Sequence, residues 1–244
     1  MTANRFFIPR RDISGRRGIL RGAEHHHLSR VVRLRPGEDV GLFDEAGVLY
    51  SARVVHVGAE ETELLLSSAG EAAAGPVRIT LGQAVLKAKA MDTVVQKAAE
   101  LGLYAIAPFI SRRSVVRPTD RSPQRTERWS KIALAAAKQS RSGRVPRILV
   151  VSGLEDLSAA ERGGVKLFLS ERGGVLLRDI LSGPPEARPS EVLLLIGPEG
   201  GWEDGEEERL RAAGFRAVSL GGTILRAETA ALAAAAIVSH YWNW

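Results

Sequence analysis

Two carboxylates, a guanidinium and a hydroxyl fall on or beside two glycine-bearing loops within residues 193–229. Glu199 sits in Gly197-Pro198-Glu199-Gly200-Gly201, and Arg226, Glu228 and Thr229 follow Leu220-Gly221-Gly222. These are the polar groups expected beside a reacting centre. A carboxylate can take up a proton, and an arginine can stabilise a developing negative charge. Each loop follows an apolar run and precedes a helical pattern. A strand that ends in a glycine turn and opens a helix is how α/β proteins build ligand sites at the carboxyl ends of strands. Glycine lets the backbone bend there and approach a ligand closely. The bland alternative is two ordinary strand-to-helix turns.

The ligand is not a phosphate by these signs. Glu203, Asp204, Glu206, Glu207 and Glu208 fill the first turns after the first loop. Acids there suit the helix dipole and would repel a phosphate. Neither the P-loop Gly-Lys-Ser/Thr nor the GxGxxG dinucleotide pattern is present. A ligand with a cationic or neutral reactive end, held by backbone groups, fits better.

The elements that would position these loops come in two styles. Residues 1–70 carry short strand-like runs at 40–43, 48–55 and 63–66, separated by turn signals at Pro36-Gly37, residues 44–47 and Gly58. That spacing predicts a small β-barrel or sandwich. Residues 69–76 are a small-residue linker. From 77 the pattern becomes α/β. Strands are expected at 77–86, 103–110, 147–151, 165–169, 192–196 and 215–220. Helices are expected at 89–101, after Ser122-Pro123, at 206–213 and at 227–241. Met91, Val94, Val95 and Ala98 share one face of the first, which stops at Gly102. Trp129, Ile132, Ala133 and Ala136 share a face of the second. The unbroken run 192–196 suits a strand buried on both faces, and the alternation implies a largely parallel sheet.

The chain of 244 residues has room for one large or two modest domains. It has no cysteine, which excludes disulfides, thiolate chemistry and zinc–thiolate sites. No apolar run reaches membrane-spanning length and the first residues lack a secretory pattern, so the expected compartment is the cytoplasm. Residues 76–150 carry 15 basic and 4 acidic side chains, whereas residues 151–244 carry 9 and 14. Positive charge concentrated in this way is the electrostatic footprint of nucleic-acid binding. Residues 1–35 add nine arginines against Asp12 and Glu24. The run His25-His26-His27 points three side chains in different directions and lacks a supporting carboxylate spacing, so no metal is expected.

The order IGPEGG, then LG-x-x-ILR-x-ETA, strongly resembles the RsmE family of bacterial 16S ribosomal RNA methyltransferases, of the SPOUT superfamily. Other motifs fall in the same order. They are Arg5-Phe6-Phe7, residues 27–33 with Pro36-Gly37, residues 96–102, residues 111–114, Arg128-Trp129, and Gln139-Ser140 with Val145-Pro146. One stretch departs: where the family commonly has Glu-Gln-Ser-Gly-Arg, this chain has Lys138-Gln139-Ser140-Arg141-Ser142. A role for that arginine therefore cannot be carried over; Arg141 or Arg144 could take it.

The resemblance implies a PUA-like RNA-binding β-barrel over 1–72 and a trefoil-knotted, mostly parallel α/β domain over 73–244. It implies S-adenosylmethionine as cofactor, methyl transfer to N3 of a uridine in the small-subunit decoding region, the assembled subunit as substrate, and a homodimer. Cofactor contacts are expected from Leu169, Ser170, Glu171, Ile196, Gly197, Gly200, Gly201, Leu220, Gly221, Ile224, Leu225 and Arg226, mostly through backbone groups. RNA contacts are expected from Arg5, Arg30, Arg33, Arg112, Arg113 and Arg144. Arg226 would stabilise the developing charge or fix the uracil, and Glu199 or Glu228 would be the base. The alternatives are a SPOUT methyltransferase acting on another rRNA or tRNA position, a non-catalytic RNA-binding assembly factor, and, less favoured, a nucleotide-dependent enzyme on a Rossmann-like sheet.

Overall fold

The computed structural model describes residues 5–45, 47–71, 77–115, 123–140, 142, 144–159, 164–184 and 188–243. The expected linker boundary, Ser122 and Arg141 lie outside the described residues. The chain forms two compact units. One is Met1–Ala73 with Ala137–Val145, the other Ala74–Ala136 with Pro146–Trp244.

In the first unit, β1 (Arg5–Phe7), β2 (Ile13–Ser14), β3 (Arg17–Arg21), β4 (Asp39–Phe43), β5 (Val48–Val57) and β6 (Glu61–Glu71) form one sheet in the order β1-β4-β5-β6-β3-β2. Only β1 with β4 is parallel. Phe6 on β1 and Leu20 on β3 stand far apart in that order. Both nevertheless join one buried cluster with Val40, Leu42, Val54 and Leu64, so the sheet curls round a single core. The β5–β6 register shifts at Ser51/Ala52 and Val54/His56. Such bulges let two long strands bend.

Helical turns between β3 and β4 were not legible in the sequence. Helix α1 (Gly22–His26) runs straight into a π-helical turn, His27–Val32, which ends at Arg33 with φ 60. His25 is buried, its Nδ1 2.8 Å from Thr62 Oγ1 and its Nε2 3.2 Å from the Ala59 carbonyl. The first of the three histidines is thus a packing residue. Glu24 accepts a hydrogen bond from the Phe7 N–H at 3.0 Å and forms an ion pair with Lys138, whose ammonium lies over the Phe7 ring. Lys138 is the residue that departs from the family motif, and here its charge has a structural partner.

The turn between β4 and β5 is tied by Asp44, which is fully buried. It accepts from the Val48 N–H at 2.9 Å and the Tyr50 hydroxyl at 2.8 Å, and pairs with Arg10 at 3.3 Å. Burial, then the Asp44 hydrogen bond and charge, push the Tyr50 phenol up to about 12 from 10. The fold thus binds the neutral phenol. This contribution to stability is complete below pH 10 and is lost as pH rises through 12. Denaturant midpoints measured across that window should fall for the wild type. Tyr50→Phe should lose about 1 kcal/mol at neutral pH and show a shallower alkaline decline.

The second unit runs β7 (Arg78–Ala84), α2 (Ala88–Glu100), β8 (Ala105–Ile110), α3 (Pro123–Ser140, its end counted with the first unit), β9 (Arg147–Ile148), β10 (Ser152–Gly153), α4 (Leu154–Ala159), β11 (Val165–Leu169), β12 (Val175–Leu176), α5 (Leu177–Leu181), β13 (Glu191–Ile196), α6 (Asp204–Ala212), β14 (Arg216–Ser219) and α7 (Ala227–Asn243). Its sheet has the order β10-β8-β7-β13-β11-β14-β12, with β9 also on β8, and every described pair is parallel. The apolar run 192–196 is buried throughout as β13. The strand expected at 147–151 is shorter. It pairs with the start of β8 at 147–148, leaves Val150 77% exposed, and resumes at 152–153 against the end of β8.

Strand β14 pairs with both β11 and β12, so it lies between two strands that follow one another in the chain. The connection from β11 to β12 must therefore cross it. At Gly174 an added Cβ would lie 2.5 Å from the Ala217 carbonyl oxygen and 2.9 Å from the Val218 nitrogen. Only glycine allows backbone to pass backbone this closely. Helix α7 packs on α2, α5, β7 and β13 and buries Ala227, Ala231, Ala234, Ala235, Val238 and Trp242. Among the described residues no helix is long and apolar enough to cross a membrane.

Candidate active site

A cleft of about 870 Å³ opens at the carboxyl ends of four neighbouring strands. In sheet order these are β7, β13, β11 and β14. The segments that follow them supply Lys87, Lys89 and Ala90, then 196–202 without Gly200, then 169–173 without Arg172, then 219–228. From β11 the chain goes to β12 on one side, then back to β13 on the other and last to β14, so the strand order reverses at β11. Ligands of open α/β sheets bind at such a switch point.

The loop after β13 is pinned from below. Trp202 is buried between Phe109, stacked at 5.9 Å, and Phe168, edge-on at 6.0 Å. Its indole N–H donates to the Leu169 carbonyl at 2.7 Å and so ties two of the cleft loops together. Gly197 lies against the same indole, where an added Cβ would come 3.0 Å from the ring. Trp202→Phe keeps the aromatic packing and removes the donor. It is expected to cost roughly 1–3 kcal/mol in chemical denaturation and to weaken ligand binding in the cleft, measured by calorimetry.

Acids expected to suit the helix dipole prove to be braces as well. Glu206 and Glu207 are 1% and 4% exposed. Glu206 accepts from the Arg112 N–H at 2.9 Å and from the Glu203 N–H at 3.1 Å, a capping box that opens α6. Glu207 accepts from the Ser170 hydroxyl at 2.8 Å and from Arg211 at 3.0 Å. Together they lock the ends of β8 and β11 to the start of α6. The Glu-x-x-Glu spacing of Glu203 and Glu206 was the one sequence signal for this.

Of the expected cofactor residues, Leu169, Ser170, Glu171, Ile196, Gly197, Gly201, Leu220, Gly221, Ile224, Leu225 and Arg226 line the cleft. Gly200 does not. It turns away against Arg113, where an added Cβ would meet the Arg113 Cβ at 3.1 Å, and its carbonyl accepts from the Arg113 guanidinium at 3.1 Å. Arg113, expected on RNA, thus spends part of its hydrogen-bonding capacity on this loop. Glu199, Glu228 and Arg226 all reach the cleft. Glu199 accepts from the Lys87 N–H at 3.4 Å, whereas Glu228 and Arg226 have no side-chain partner among the described residues. Lys87 and Lys89 line the cleft too and were missed, because no glycine cluster marks the end of β7.

The remaining expected RNA contacts belong to the first unit. Arg30 and Arg33 are exposed, and Arg5 and Arg144 are half-buried. The Arg33 Nε donates to the Arg30 carbonyl at 3.4 Å.

Comparisons agree with this architecture. Residues 73–239 match an RNA methyltransferase domain family, and residues 20–65 match an RNA methyltransferase PUA domain family. The ribosomal RNA small subunit methyltransferase E of Bacillus subtilis is 30% identical over 227 residues, covering 90% of this chain and 88% of that protein. That of Aquifex aeolicus is 34% identical over 224 residues, covering 91% and 94%. The crystal structure of the enzyme of that name from Neisseria gonorrhoeae, bound to S-adenosyl methionine, superposes with a TM-score of 0.83 at 34% identity, covering 98% of each chain. With both segments matched in order and nearly all of each relative covered, this chain belongs to the ribosomal RNA small subunit methyltransferase E family.

Proposed function

We propose that this protein transfers a methyl group from S-adenosylmethionine to N3 of a uridine of 16S ribosomal RNA in the decoding region of the small subunit. The observation that carries the reading is the cleft at the β11 switch point, with its mixed lining of apolar loops and carboxylates. The residues suit the cofactor. About 870 Å³ lies within the range of cofactor sites. Leu169, Ile196, Leu220 and Leu225 offer apolar surface to an adenine, and Glu171, Glu199 and Glu228 offer negative charge to a sulfonium. When bound, S-adenosylmethionine supplies an electrophilic methyl group.

The protein's own groups prepare the uracil. Its N3 carries a proton that must leave before or during attack. Glu228 is the acceptor of choice, because neither of its oxygens has a partner among the described residues, whereas Glu199 is spent in part on the Lys87 N–H. Arg226, two residues earlier and without a partner among the described residues, stabilises the charge that spreads onto the ring carbonyls. The loops fix the alignment of the reacting groups, which contributes rate through orientation. Glu228→Gln should slow transfer ~10²-fold or more with a changed pH–rate profile, and Glu199→Gln should act more weakly. Wild-type rates from both variants would reject a carboxylate base.

On this reading residues 1–72 form the RNA-binding domain and residues 73–244 the knotted methyltransferase domain, and the ribosomal substrate implies the cytoplasm. The protein acts as a homodimer. Besides its buried face, α7 keeps Leu232, Ala233, Ala236 and Ile237 only half-buried, with Tyr241 and the nearby Ile224 exposed. A helix that merely covered its own sheet would not need this second apolar face. A monomer mass by light scattering would reject the dimer. The function itself is tested by labelled methyl transfer to 30S subunits lacking their native base methylations, with the product mapped by mass spectrometry. Label on a decoding-region uridine N3 is expected. Label elsewhere would reject the substrate assignment.

A further inference from the structure

Most charged side chains around the second sheet are paired. Arg78 pairs with Glu191, Lys97 with Glu100, Arg128 with Asp92, Arg172 with Asp204 and Arg211 with Glu207. Lys87 and Lys89 are exceptions. Both are exposed, both line the cleft, and neither ammonium has a partner among the described residues. One strand further along the same sheet edge, at the end of β8, Arg112 is also exposed and its guanidinium is also without a partner among the described residues. Neighbouring strands are about 4.8 Å apart. Among the described residues, two free cations thus stand at the rim of the cleft, with a third at the end of the neighbouring strand.

Their place in the sheet order indicates what they hold. The loops expected to hold the cofactor follow β13, β11 and β14, whereas these cations follow β7 and β8. Lys87 and Lys89 stand at one end of the cleft rather than across it, on the side toward β8. Exposed lysines act as unoriented point charges, suited to phosphates rather than to the fixed edge of a base. A base that enters the cleft must also bring its flanking phosphates to the rim, since base chemistry requires an unstacked nucleotide.

We propose that Lys87 and Lys89, with Arg112, grip the phosphates flanking the target nucleotide and so hold a single-stranded RNA segment over the cleft while its base enters. This deepens the RNA methyltransferase reading and rests on it. The side chains do this without a structural duty. Lys87 serves the fold through its backbone, whose N–H reaches Glu199 and whose carbonyl accepts from Ala90 and Met91. Lys89 serves through its carbonyl, which accepts from Thr93.

The test uses Lys87→Gln, Lys89→Gln, the double variant and Lys87→Arg in the full chain. Binding of a fluorescent 16S rRNA fragment is measured against salt. Methyl transfer to undermethylated 30S subunits gives kcat and KM, and calorimetry gives cofactor affinity. Each lysine lost should lower the slope of log affinity against log salt by about 0.7–0.9, and should raise KM on the order of threefold to tenfold. kcat and cofactor affinity should stay within about twofold of wild type, and Lys87→Arg should restore the slope. An unchanged salt slope would overturn the proposal. So would a fall in kcat at saturating RNA, which would put the charge on the base, or weakened cofactor binding, which would put it on the cofactor. If the wild type binds RNA with the lysine-dependent slope but transfers no methyl group, the grip stands and the methyltransferase reading falls. If it transfers methyl and the slope does not move, only the grip falls.

Discussion

Arg226→Ala is expected to lower kcat for methyl transfer by ~10²–10³-fold, the usual consequence of removing one group that stabilises developing charge in a cleft. The side chain lines the cleft and has no partner among the described residues, so its removal breaks no visible structural bond. The backbone bond from Ala230 to its carbonyl is retained in the variant. Thermal stability should therefore be unchanged, and cofactor affinity by calorimetry should move by less than about threefold, well under one power of ten in free-energy terms. Arg226→Lys should recover only part of the rate, because an ammonium cannot match the planar fork of a guanidinium against a uracil edge. Single-turnover rates at saturating substrate are the deciding measurement. A loss confined to KM would show that Arg226 binds RNA and takes no part in the chemistry.

Gly174→Val is expected to be strongly destabilising. The new Cβ would meet the backbone of Ala217 and Val218 at 2.5–2.9 Å. Side chains can rotate out of such a contact, but backbone held between two strands cannot. The cost should be about 3 kcal/mol or more, a drop in melting temperature of roughly 6–12 °C for a chain of this size. Cofactor binding should weaken too, since the same connection carries Ser170, Glu171 and Gly173 into the cleft. Gly205→Ala is the control. Gly205 lies in the first turn of α6 with nothing within 4 Å of an added Cβ. That change should be neutral or stabilising by up to about 1 kcal/mol. Equal melting temperatures for the two variants would reject the crossing.

The sequence was most legible where one element carried its own evidence. Residues 192–196 are apolar without a break and form the buried β13, and α2 and α7 hold their periodic or alanine-rich patterns over three turns or more. The two-residue strands β10 and β12 and the short helices α4 and α5 were invisible. Elements that brief have no period, and exist because a neighbour offers a free edge. The cleft loops were legible because glycines cluster there. Gly200 faces Arg113 rather than the cleft, and composition does not tell which side of a turn faces the ligand. Glu206 and Glu207 were read only as acids that suit the helix dipole, because that argument is local. Their partners Arg112 and Ser170 lie 94 and 37 residues away. Lys87 and Lys89 were passed over because their meaning depends on β7 lying beside β13, a fact of topology alone.

The position of β14 between β11 and β12 sets a clock on synthesis. A chain leaving the ribosome presents β11 and β12 well before residues 216–219 exist. Until then the sheet lacks an inner slat, and two strands expose unpaired edges. Arg226, Glu228 and the loop from Ser219 arrive only with or after that slat. At ~5–20 residues per second, the last stretch takes a few seconds to appear. A nascent chain therefore has its full cleft only after its final strand has found its place between two that were already there, and a prematurely terminated one never has it.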